Sequence, residues 1–73
     1  GTSTLDNERG RLMRQYDRLK GDITTYENNL GVLNVSSKKG NSLIEEMKRR
    51  IQKLKDELEE TRQKIKEIDA QNK

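Results

Sequence analysis

From Ile44 to Ile68 the chain places Ile44, Met47, Ile51, Leu54, Leu58, Thr61, Ile65 and Ile68 at spacings that alternate between three and four residues. An α-helix brings such positions onto one line, and the seven-residue repeat they form is the seam of a coiled coil. The residues between them are almost all Lys, Arg, Glu, Asp and Gln, which suit a helix surface. A second seam precedes it. Leu5, Arg9, Leu12, Tyr16, Leu19, Ile23, Tyr26 and Leu30 follow the same alternation, with Arg9 breaking the apolar character. Two seams in one short chain predict two helices that cover each other.

With 73 residues, 27% of them hydrophobic, and neither Phe nor Trp, the chain cannot enclose a broad globular core. Its apolar side chains must serve a narrow seam. A charged content of 40% would indicate disorder in an aperiodic sequence, but the sustained repeat argues for helices instead. There is no Pro to interrupt either one. Without Cys there is no disulfide or thiolate chemistry, and without His the commonest general base and metal ligand is missing. The acidic pairs Glu45/Glu46 and Glu59/Glu60 are adjacent in sequence and so do not share a helix face. The sequence therefore reads as a protein that is not an enzyme, with no catalytic, cofactor-binding or metal-ligating residue and no cofactor. No apolar run approaches the roughly 20 residues needed to span a bilayer. A cytoplasmic chain without membrane contact is expected.

Helix 1 is expected over about residues 4–30, capped by Ser3 or Thr4, whose hydroxyl can accept a bond from a first-turn amide. Asn28, Asn29, Leu30 and Gly31 read as its end, with Gly31 free to take the left-handed conformation that closes a helix. Gly10 and Gly21 fall at outward positions and cost the helix about 1 kcal/mol each relative to Ala, which makes helix 1 the weaker element. The connection is expected over 31–41, its apolar Val32, Leu33 and Val35 folding over the tip with Leu43 as their partner. Ser42 followed by Glu45 forms a capping box that starts helix 2, expected over about 42–70. Glu45 with Arg49, Glu46 with Arg50 and Glu60 with Lys64 add acid-before-base pairs worth about 0.2 to 0.5 kcal/mol each.

The fold class that follows is all-α: a single-domain antiparallel coiled-coil hairpin. Its register sets Leu33 beside Ile44, Leu30 beside Met47, Tyr26 beside Ile51, Ile23 beside Leu54, Leu19 beside Leu58, Tyr16 beside Thr61 and Leu12 beside Ile65. A parallel dimer of helix 2 is the competing arrangement. It would pair Glu57 with Arg62 and Lys64 with Asp69, but it sets Arg50 against Lys55 and leaves the helix 1 seam uncovered. Two hairpins can also associate into a four-helix bundle, so a monomer and a homodimer both fit the sequence.

Residues 31–50 carry five basic and two acidic side chains, while the segments on either side are balanced, so the net charge of +3 gathers around the tip. Val32, Leu33, Val35, Lys38, Lys39, Lys48, Arg49 and Arg50 are accordingly the candidate partner-binding residues. A protein partner or neighbouring helical repeats suits the apolar members. The alternative is a nucleic-acid-associated module whose basic tip meets phosphates, with weak contact expected because no stacking group accompanies the charge. The glycines, serines and lysines of 31–40 lack the GxxxxGKS or GxxxxGKT spacing of a phosphate loop, and no strand precedes them. The expected function is that of a structural or protein-interaction helical module.

The run Tyr26, Glu27, Asn28, Asn29, Leu30, Gly31, continuing through Val35, Ser36, Ser37 and Lys38 into the helix of Leu43 to Ile68, resembles a bacterial domain of unknown function, family 349. Members of that family are multi-helix, often tandem-repeat cytoplasmic proteins with a YENNxGF run and a Ser/Lys turn near a C-terminal helical region. The resemblance covers much of residues 9–69, and Val32 stands where the family pattern has an aromatic. It implies a C-terminal fragment of a longer helical protein and supplies no activity or site residues.

Overall fold

The structure, a computed structural model, describes residues 2–36 and 42–71, with side chains over 4–33 and 42–71. Two helices, α1 (Thr2–Ser36) and α2 (Ser42–Gln71), pack against each other as an antiparallel hairpin, and there is no strand among the described residues. The result is a rod of 56 × 14 × 14 Å.

Both seams are where the repeat puts them. Leu12, Leu19 and Ile23 of α1 and Ile44, Ile51, Ile65 and Ile68 of α2 are buried, and the remaining seam members are buried or half-buried. Near the open end Leu12, Ile65 and Ile68 form one cluster, with Leu5, Met13 and Tyr16 packed on it, in agreement with Leu12 beside Ile65. Thr61 is the buried polar residue of the seam. Its hydroxyl donates to the Glu57 carbonyl at 2.9 Å, so a polar atom enters the core already satisfied by its own helix.

Arg9 resolves its place in the seam by turning outward to Asp69, with Nε 2.7 Å from the carboxylate. The hydrogen bond from its side chain and the charge of Asp69 together raise the Arg9 pKa above its ordinary value. A second interhelical ion pair joins Lys55 to Glu27 at 3.2 Å. Both pairs are roughly half exposed, so each contributes register more than stability. Along α2, Glu59 accepts bonds from Gln63 at 2.9 Å and Arg62 at 3.2 Å, and this holds its pKa below the usual carboxylate value despite some desolvation.

The end of α1 corrects the expectation of a stop at residue 30. The helix runs on through Gly31 to Ser36, and among the described residues no glycine has positive φ. The physical reason is the phase of the seam: Leu33 lies three residues past Leu30, both are half-buried, and another layer of apolar contact offsets a glycine cost of about 1 kcal/mol. Val32, Leu33 and Val35 are thus helical rather than part of a connection, and only residues 37–41 lie between the two helices. At the other boundaries α1 begins two residues earlier than expected and α2 begins at Ser42.

The tip of the hairpin as a candidate interaction surface

Helical periodicity sends the predicted tip residues in different directions. Val32, one residue ahead of seam member Leu33, points outward and is 67% exposed, while Leu33 itself is half-buried between the helices. Leu43, one residue ahead of Ile44, is 51% exposed. Val32 and Leu43 therefore both sit beside the seam and not on it, with much of their surface exposed. The Val35 side chain and all of Lys38 and Lys39 lie outside the described residues.

Of the basic candidates on α2, Lys48 lies 3.8 Å from Glu45 one turn back, so Glu45 meets Lys48 and not Arg49. Arg49 is exposed, and Arg50 places its guanidinium 5.9 Å from the centre of the Tyr26 ring, within the range of a cation–π contact. Lys20 stands over Tyr16 in the same way at 5.6 Å. The two tyrosines thus fill half-buried seam positions while their rings serve as platforms for cations.

The Tyr26–Arg50 contact belongs to a groove that the spacing of charges along the sequence does not reveal. A shallow depression of about 480 Å³ is lined by Asp22, Tyr26, Glu46, Arg49, Arg50, Lys53, Leu54 and Glu57. A smaller one of about 230 Å³ adjoins it, lined by Tyr26, Leu43, Glu46, Met47 and Arg50. The register, with Tyr26 beside Ile51, places Arg50 next to the ring without fixing the rotamer that lays the guanidinium over it. The larger depression carries Asp22, Glu46 and Glu57 against Arg49, Arg50 and Lys53, so its walls are of mixed sign and not uniformly basic. Its floor of Tyr26 and Leu54 leads through the smaller depression to exposed Leu43.

Among the described residues there is no group of acidic side chains arranged to hold a metal ion, and no helix is long and apolar enough to cross a membrane. Comparison of the chain with protein-family models, curated proteins and solved structures finds no match in any of the three.

Proposed function

We propose that the chain is a non-catalytic, structural or protein-interaction module of a longer cytoplasmic multi-helix protein, and that its tip is the surface that meets a protein partner or a neighbouring helical repeat. The observation that carries this reading is the pair Val32 and Leu43, large apolar side chains left exposed near the tip of a rod whose remaining outer surface is mostly polar. The mixed-sign groove beside Leu43 supports it, since an apolar patch rimmed by charges of both signs suits a protein surface. A polyphosphate would meet Asp22, Glu46 and Glu57 along with the arginines.

The chain has no cysteine, so Val32→Cys gives a single attachment point for a photo-cross-linker in the cells that make the protein. Protein adducts are expected at position 32 and not at a matched label on exposed Gln52. The nucleic-acid reading takes over if position 32 yields no adduct while the chain binds oligonucleotides saturably at about 0.15 M salt. That binding would also have to disappear on charge reversal at Lys48 and Arg49.

A further inference from the structure

Near the open end the two outward faces of the hairpin carry opposite charge. With the seam at positions a and d of the repeat, the outer positions c and f of α1 read Thr4, Asn7, Arg11, Arg14 and Arg18, all exposed and none acidic. The same positions at the end of α2 read Asp56, Glu60, Gln63, Glu67 and Ala70, all exposed and none basic. Arg11, Arg14 and Arg18 line one shallow depression of about 310 Å³ together with Gln15. Their local partners hold them loosely. Arg11 lies 3.7 Å from Glu8, Glu60 lies 3.9 Å from Lys64, and the Arg11 and Glu60 side chains are each 70% exposed.

The register of the hairpin makes these faces match. The Arg9–Asp69 ion pair and the packing of Leu12 on Ile65 put Arg11 at the height of Glu67, Arg14 at that of Gln63 and Arg18 at that of Glu60. Consider a second copy set beside the first, pointing the same way and with no slide along the rod. Helix α1 of one copy then lies antiparallel to α2 of the other, as the two helices lie within one hairpin. The three arginines meet Glu67, Gln63 and Glu60 at matching heights.

We propose that the open half of the hairpin is a self-association surface, in which the arginine face of α1 in one copy takes the acidic face of α2 in a second copy. The contact joins different patches on the two partners, so each pair leaves one face of each kind free and copies add side by side in a row. This differs from a four-helix bundle, which would bury the seams. Guanidinium groups also suit phosphate, but a lone basic face would not come with an acidic face at the same height and spacing, and this favours a second copy as the occupant. Two flanking pairs, Asp17 with Glu59 and, at the edge of the contact, Asp22 with Glu57, are of like sign, and Arg62 and Gln63 already engage Glu59. The surface lies away from the tip, so this proposal and the functional reading above stand or fall separately.

Sedimentation velocity over a range of concentrations provides the test. At about 20 mM salt the average mass should rise with concentration, and the association should weaken about tenfold on moving to about 0.3 M salt. The triple variant R11E/R14E/R18E and the double variant E60K/E67K should each remain monomeric. An equal mixture of the two should associate again, because acidic α1 faces then meet basic α2 faces. R11K/R14K/R18K keeps the charge and should retain association, and circular dichroism on each chain separates lost association from lost fold. The proposal is overturned if the unmodified chain stays monomeric at low salt, if neither reversal weakens its association, or if mixing fails to restore it. Oligonucleotide binding through the arginines by a chain that does not self-associate also overturns it and assigns the face to nucleic acid.

Discussion

Near the chain ends Leu12, Ile65 and Ile68 are buried together under Leu5, Met13 and Tyr16, whereas at the tip Ile44 is buried, Leu30, Leu33 and Met47 are half-buried, and Val32 and Leu43 face solvent. Among the described residues the tip has fewer buried seam members, and it is also where the chain itself joins the helices. A short covalent link keeps two helix ends at high effective concentration, so the tip needs little contact area to stay closed. The open end has no such help within the hairpin and depends on its cluster and on the Arg9–Asp69 pair. More of the seam is buried where connectivity does not act, and the tip can expose apolar side chains at small cost to the fold.

The largest expected effect tests that division directly. Ile65→Ala should cost about 2 to 5 kcal/mol, enough to melt so small a hairpin, because it opens a cavity in the buried cluster with Leu12 and Ile68. Leu30→Ala should cost clearly less, since Leu30 is already half in water. Thermal melts of the two variants by circular dichroism compare them, and equal losses would remove the contrast between the ends.

An intermediate effect, of the opposite sign, sharpens the account of the tip. Gly31 is helical without positive φ, and a Cβ added there meets nothing within 4 Å. Gly31→Ala should therefore stabilise the hairpin by up to about 1 kcal/mol, and Gly21→Ala, with the same open space, should do likewise. Destabilisation by Gly31→Ala alone would mean that α1 ends at Gly31 and that the last seam layer, Leu33, is not formed.

The smallest effect concerns the ion pair at the open end. A double-mutant cycle with Arg9→Met and Asp69→Asn should return a small coupling that shrinks with added salt, as for other exposed pairs. The Glu27/Lys55 cycle provides the comparison, at 3.2 Å against 2.7 Å. A larger coupling for Glu27/Lys55 would show that the open end draws on packing alone.

The seams were legible because burial and the helical repeat give the same answer: each residue assigned to them is buried or half-buried. The end of α1 was not, since Gly31 carries a stop signal while Leu33 continues the phase, and local composition cannot weigh one against the other. Met13 flanks the seam by one position, outside the repeat, yet it packs on the Leu12 cluster. The opposed outer faces stayed hidden for a different reason. Residues 1–30 hold as many acidic as basic side chains, so counting by segment gives zero, and only their placement around the helix separates Arg11, Arg14 and Arg18 from the acids. The exposure of Val32 and the Tyr26–Arg50 stack depend on helix continuation and rotamer choice, which spacing along the sequence does not fix.

The distribution of glycine and threonine has a mechanical consequence. Helix α1 contains Gly10, Gly21 and Gly31, and the hydroxyls of Thr24 and Thr25 donate to the carbonyls of Lys20 and Gly21 at 3.0 Å, an arrangement that tends to bend a helix. Helix α2 has no glycine, and its single threonine, Thr61, makes the same kind of bond to the Glu57 carbonyl from a core position. Glycine, which has no counterpart in α2, makes α1 the more compliant member of the hairpin under load. A pull applied at the tip would be taken up first along α1.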